Sequence, residues 1–64
     1  MADPSTLRTV LADAATRLDQ RIEAEWLLMH VLGVDRSWLF AHATDSVPAA
    51  KVADFQTLVE RRAA

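Results

Sequence analysis

The sequence predicts an all-α protein, a small bundle of four to five helices wrapped around a central buried helix. Apolar residues recur three and four positions apart, as on one face of a helix, and no segment alternates for long enough to be a strand. Apolar residues make up 52% of the 64, and only one Gly and two Pro interrupt them, so little of the chain remains for loops. We therefore expect one helical domain over residues 1–64.

The composition disfavours several classes of protein. Without cysteine the chain has no disulfide and no thiolate metal site, which suits a reducing cytoplasm. A net charge of −2 does not suit a polyanion binder, so we expect no direct nucleic-acid partner. No apolar run approaches the roughly 20 residues of a membrane span, and the first residues do not resemble a signal peptide. We expect a cytoplasmic protein that does not bind membranes.

The first helix is predicted to run from Pro4 to about Leu18. Asp3 would cap its free amides and Pro4 suits its first turn, with Ser5 as a competing cap. The apolar residues recur at three and four and comprise Leu7, Val10, Leu11, Ala14 and Leu18. This stripe predicts a helix with one side in the core.

The central helix is predicted over Arg21 to Gly33, with Asp19 as its cap and Gly33 at its left-handed end. Its apolar side chains form two groups on roughly opposite sides: Ala24, Leu27, Leu28 and Val31, and then Ile22, Trp26 and Met29. A helix with two apolar sides needs neighbours on both. We therefore expect the other helices to surround it and Trp26 to fill the core.

A short third helix is predicted from Arg36 to about His42, capped by Asp35. Three large apolar residues follow one another in it, Trp38, Leu39 and Phe40. They cannot all face the core, so we expect Trp38 or Phe40 to be partly exposed.

The last helix is predicted from Pro48 to about Ala63. Its apolar stripe comprises Val52, Phe55, Leu58 and Val59. Arg61 and Arg62 lie in its last turn, where cations favour the helix dipole. No Gly or Pro ends this helix, so we expect the chain to be a piece of a larger protein.

The sequence offers little catalytic chemistry. Glu23 and His30 are two turns apart, about 10 Å along a helix, which is too far for one metal ion. Glu23 and Glu25 point to different sides and do not form a carboxylate pair, and no Gly-rich phosphate loop is present. Gly33 between two helices hints at a helix-turn-helix, but the apolar helix after it is unsuited to reading bases. We expect no catalytic residue, metal site or cofactor site in these residues.

Three segments, RIEAEWLLMHVLG, DRSWLFAH and FQTLVERRAA, together resemble the N-terminal domain of the bacterial release factor glutamine methyltransferases, the PrmC/HemK family. The matching positions are Glu23–Ala24, Leu27–Leu28, His30–Val31, Gly33, Arg36, Leu39, Arg61 and Arg62. The resemblance extends from about Leu7 to Ala64. It depends on the order and spacing of these segments, because each one alone is a common helical sequence.

The resemblance implies a parent enzyme that acts in translation termination. Such an enzyme would transfer a methyl group from S-adenosylmethionine to the glutamine of the Gly-Gly-Gln loop in peptide chain release factors. Catalysis and cofactor binding would belong to a separate Rossmann-like domain with an Asn-Pro-Pro-Tyr motif. That motif does not occur in these 64 residues. The helical domain would recognise and position the release factor and contact the parent's own catalytic domain.

The residues expected to bind a partner are exposed cations and an aromatic residue: Arg36, Trp38, Arg61 and Arg62. Each has a structural alternative. Arg36 would pair with Glu23 or Asp35, and the arginines of the last helix would dock against the catalytic domain. The alternative function is a stand-alone helical interaction module, a homodimer that buries Trp26 or Trp38.

Overall fold

The computed structural model describes residues 5–64, and these residues form four helices and no strand. The helices are α1 (Leu7–Leu18), α2 (Arg21–Leu32), α3 (Arg36–Ala41) and α4 (Ala49–Ala63). The predicted all-α bundle is confirmed, and the predicted helices all form, with ends within a few residues of those expected. The first helix begins later than predicted, at Leu7, and the expected cap Asp3 and first-turn Pro4 lie outside the described residues.

The core lies where α1, α2 and α4 pack against one another, and α3 lies against α2. Its buried apolar side chains are Leu7, Val10, Leu11, Ala14, Ala24, Leu28, Leu39, Val47, Phe55 and Val59. Leu28 on α2 is completely inaccessible to solvent, and Leu39 is the one side chain that α3 buries fully. The predicted stripes of α1 and α4 therefore face the core.

The start of α1 is capped by Thr6, whose side chain accepts a hydrogen bond from the backbone N–H of Thr9. The sequence offered Ser5 as a competing cap, but the N-cap of α1 is Thr6. The loop between α3 and α4 also contacts the start of α1, where Leu7 N–H donates a hydrogen bond to the Asp45 carbonyl at 2.9 Å. The first turn of α1 and this loop are thus joined into one unit.

Left-handed residues end the first two helices. Gly33 has φ +68° and its N–H donates to the Met29 carbonyl, which confirms the predicted end of α2. Asp19 has φ +56° and ends α1, so the prediction that it caps α2 is wrong. Gln20 occupies the cap position of α2 without a side-chain hydrogen bond. In so short a turn one residue must reverse the chain, and Asp tolerates the left-handed region better than most residues.

Two of the three residues on the second apolar side of α2 are exposed to solvent, whereas the third, Met29, is partly buried against the core. Ala24 and Leu28 are buried as expected, but Ile22 and Trp26 are exposed. The prediction that Trp26 fills the core is therefore wrong. Within residues 5–64 the three other helices all contact α2, yet they cover only part of its circumference.

Candidate protein-interaction surface

The exposed apolar side of α2 is the most prominent surface feature of residues 5–64. Ile22 is 52% exposed and Trp26 is 62% exposed, and because they are four residues apart they lie on one side of the helix. An ion-paired acid borders this side along each edge. At 100° per residue, Glu25 lies about 60° from Ile22 in one direction, and Glu23 lies about 60° from Trp26 in the other.

One edge is formed by Glu25 and two arginines. Arg36, at the start of α3, places Nε 2.8 Å and Nη2 2.7 Å from Glu25 Oε1. Arg21 donates from Nε to Glu25 Oε2 at 3.1 Å, one turn away on α2. The Glu25 side chain is only 3% exposed, whereas both arginine side chains are 57% exposed. The carboxylate is therefore buried beneath two guanidinium groups that reach solvent.

The opposite edge is formed by Glu23 and Arg62. Arg62, in the last turn of α4, is ion-paired with Glu23 through Nη2 and Oε1. The hydrogen bond from Arg62 holds the pKa of the Glu23 carboxyl below its usual value, although some desolvation opposes this. Arg62 is 60% exposed and Glu23 only 21%. Here again the cation is the outer partner.

We call Ile22 and Trp26, with Arg21, Arg36 and Arg62 at their edges, the arginine-framed strip. The strip brings together two of the predicted partner-binding residues, Arg36 and Arg62, at its opposite edges. Sequence analysis did not assign Ile22 or Trp26 to a release-factor surface, since it considered Trp26 only as a core residue or a homodimer contact, and it missed Arg21. The signal for the first two was the second apolar group of α2, which was interpreted as core.

The predicted pairing of Arg36 with Glu23 or Asp35 is wrong. Arg36 binds Glu25, because Glu25 lies on the side of α2 that meets the start of α3. Asp35 caps α3, where its Oδ1 accepts a hydrogen bond from Trp38 N–H at 2.8 Å. An acid of α2 does join the second and third helices through Arg36, but it is Glu25 and not Glu23.

Trp38 lies on the other side of α3 from Arg36, because the two are separated by about 160° around the helix axis. Its ring stacks on His42 with centroids 4.1 Å apart, and His42 Nδ1 lies 2.7 Å from Asp45 Oδ2 in the following loop. Trp38 is 38% exposed and Phe40 is 58% exposed, so the predicted partial exposure holds for both. Trp38 belongs to a different part of the surface from the strip.

Arg61 is exposed and makes no ion pair with any residue in the described range 5–64. It adjoins Arg62 at the end of α4, where the helix reaches Ala63. The four predicted partner-binding residues thus occupy four places: the two opposite edges of the strip, the α3 side that faces the loop, and the end of α4.

The described residues offer little other chemistry. No group of three or more His, Asp or Glu side chains among them is placed to hold a metal ion. A groove of about 320 Å³ lies between α1 and α4, lined by Thr9, Asp13, Arg17, Phe55 and Gln56 among others. Within the same range, no helix is long and apolar enough to cross a membrane.

Comparison with known proteins gives consistent matches. The sequence profile of one family, described as the PrmC N-terminal domain, matches residues 7–64. The chain is 49% identical over 53 residues to the release factor glutamine methyltransferase of Xylella fastidiosa strain 9a5c, which covers 83% of this chain and 19% of that relative. The enzyme of the same name from Bordetella pertussis is 45% identical over 58 residues, covering 91% of this chain and 20% of the relative. The chain thus spans about a fifth of the length of these relatives, and no solved structure gives a significant match.

Proposed function

Because the chain belongs to the PrmC N-terminal domain family, we propose that it recognises and positions a peptide chain release factor for a longer glutamine methyltransferase. The enzyme would methylate the glutamine of the Gly-Gly-Gln loop with S-adenosylmethionine in the cytoplasm, during the cycle of translation termination. The domain itself would contribute binding rather than catalysis. The parent's catalytic domain would be its second partner.

The observation that carries the proposal is the arginine-framed strip. Trp and Arg are enriched among the residues that dominate binding at protein interfaces. Here an exposed Trp26 lies between arginines that ion pairs already hold in place. Binding energy from contacts remote from the reacting atoms can be used to orient a substrate. A separate recognition domain would use it to bring the glutamine amide to the methyl donor.

The cofactor would be held outside residues 5–64. In this range every buried side-chain nitrogen or oxygen has a hydrogen-bond partner, so no buried polar atom is left over for a ligand. The most deeply buried polar group, Glu25, has both oxygens engaged by arginines. We therefore assign no step of methyl transfer to the residues of this domain.

The test is methyl transfer to a purified release factor by the full-length protein, with and without residues 1–64. We expect deletion to raise the KM for the release factor, and very high release factor concentration to restore the rate. Equal transfer by both forms would reduce the domain to a structural appendage. No transfer by the intact protein would remove the assigned activity altogether.

A second candidate function is a stand-alone interaction module that forms a homodimer through α2. The exposure of Trp26 and Ile22 favours it, because two copies of this side would cover each other. Light scattering over a range of concentrations separates the two functions. A tight dimer would hide the side of α2 that we assign to the release factor, whereas a monomer leaves it free.

A further inference from the structure

We propose that the arginine-framed strip binds a segment of the partner protein in which an acidic side chain lies next to an apolar one. This inference rests on the proposed function, and it names the chemistry of the release factor segment that docks on the domain. The apolar side chain would pack on Ile22 and Trp26, and the carboxylate would bind one of the framing arginines.

The first argument is the position of the apolar residues. Ile22 and Trp26 share one side of α2, and the ion pairs of Glu25 and Glu23 border it along both edges. The outer helices supply the cations: Arg36 comes from α3 and Arg62 from α4. An apolar side chain that docks on the strip is therefore next to a guanidinium group on either side.

The second argument is the order of the charges from the interior outwards. The carboxylate oxygens of Glu25 are buried, whereas Arg21 and Arg36 are each more than half exposed. A partner that approaches the strip therefore meets cations before anions. Three arginines and two glutamates make up these ion pairs, so together they carry a net charge of 3 − 2 = +1.

The third argument is the set of hydrogen-bond donors that remains. A guanidinium group has five N–H donors in a planar fork. Arg36 directs Nε and Nη2 at Glu25, and Arg21 directs only Nε, so donors on both groups stay available. Because Glu25 already fixes these side chains, a ligand loses less conformational entropy when it binds them. A carboxylate accepts two such N–H groups side by side.

The overall charge favours an acidic peptide segment over a nucleic acid. The chain carries a net charge of −2, which repels an extended polyanion. A local excess of cations on an otherwise negative domain suits one carboxylate placed beside an apolar contact. The exposed apolar side chains of the strip, Ile22 and Trp26, likewise make no favourable contact with a charged phosphate backbone.

The test compares two substitutions at Ile22 in the full-length enzyme, Ile22→Glu and Ile22→Lys. Both remove the same apolar side chain from an exposed helical position, and they differ in the sign of the added charge. We measure the KM for purified release factor in methyl transfer. We expect Ile22→Glu to raise the KM about tenfold, because it repels the acidic segment, and Ile22→Lys to raise it much less. Gln56→Glu is the matched control, since it adds one negative charge at the exposed α1–α4 groove and should leave the KM unchanged.

The outcomes separate the inference from the proposed function. Transfer by the wild type that is weakened by deletion of residues 1–64 supports the proposed function, whatever the variants do. Equal KM values for the two Ile22 variants and the wild type would overturn the strip as a binding surface, and an equal increase in both would overturn the acidic segment. A larger increase with Lys, or competition by a short RNA but not by an acidic peptide, would also overturn it.

Two further measurements separate a loss of binding from a failure of the variants to fold. Thermal melting by circular dichroism checks that the Ile22 variants fold, and the pair Trp26→Glu and Trp26→Lys repeats the comparison if either does not. Absence of transfer by the wild type would overturn both the proposed function and the inference that rests on it.

Discussion

Arg36 Nε donates to Glu25 Oε1 at 2.8 Å, and Arg36 Nη2 lies 2.7 Å from the same oxygen. This ion pair joins α2 and α3 outside the core. A helix of six residues is too short to be stable alone, so α3 depends on such contacts and on the burial of Leu39. The same ion pair orients the Arg36 guanidinium group at the edge of the arginine-framed strip. The stability of α3 and the shape of the proposed binding surface therefore depend on the same contact.

Replacing Arg36 by Ala should destabilise the domain. The variant leaves a buried carboxylate oxygen without its partner, which costs about 1–3 kcal/mol in the free energy of unfolding. Urea unfolding followed by circular dichroism measures the change. Arg61→Ala is the control, because Arg61 makes no ion pair among the described residues and should change stability by less than about 0.5 kcal/mol. Equal unfolding free energies for the wild type and Arg36→Ala would show that the ion pair contributes nothing.

Replacing Leu28 by Ala should largely unfold the domain. Leu28 is fully buried on α2, and such a change costs about 2–5 kcal/mol through lost burial and a cavity. A domain of this size has a total stability of only about 5 kcal/mol. Ile22→Ala on the exposed side of the same helix should cost less than about 0.5 kcal/mol. Unchanged melting of the Leu28 variant would contradict the placement of α2 in the core.

Replacing Gly33 by Ala should cost about 1 kcal/mol, because its φ of +68° is unfavourable for residues with a Cβ. No atom lies within 4 Å of where that Cβ would be, so the cost comes from the backbone alone. Gly33→Asn should cost less, since Asn tolerates this region better. Thermal melting of the two variants measures the difference. If Ala and Asn behave alike, backbone strain is not what selects glycine here.

The helices could be predicted from the sequence because their signals are local. Asp35 caps α3 as expected, and the stripe with Phe55 and Val59 places α4 against the core. The exposure of Trp26 could not be predicted, because helical periodicity shows which side chains share a side but not how many neighbouring helices will cover it. The second apolar group on α2 was therefore assigned to the core, although the four-helix bundle leaves Ile22 and Trp26 exposed and covers only Met29 in part.

The candidate site was predicted only in part, for a similar reason. Arg36 and Arg62 were singled out, but their partners Glu25 and Glu23 depend on where α3 and α4 meet α2. Glu23 and Glu25 are two residues apart, and sequence alone does not decide which edge of α2 each neighbouring helix will occupy. A binding role for the four predicted residues stays a prediction.

The ion pair of Glu23 and Arg62 should make stability depend on pH in the acidic range. The hydrogen bond from Arg62 lowers the pKa of Glu23 below its ordinary value of 4.5. A carboxyl with a lowered folded-state pKa stabilises the fold above its unfolded-state pKa, and this contribution is lost as the pH falls through the folded-state value. An NMR titration should place Glu23 below 4.5 in the wild type and nearer 4.5 in Arg62→Gln. The same pKa in both proteins would show that the pair does not form in solution.

Tryptophan fluorescence should separate the strip from the rest of the surface. The domain has two tryptophans, so Trp38→Phe leaves Trp26 as the only reporter, and Trp26→Phe leaves Trp38. Trp26 is 62% exposed, so we expect its emission to shift to shorter wavelength when release factor binds. Trp38, stacked on His42 on the other side of α3, should change much less. The free domain should show no change on dilution, because the proposed function requires α2 to be free for the release factor. A concentration-dependent shift of Trp26 without release factor would instead show that two copies of the domain cover α2.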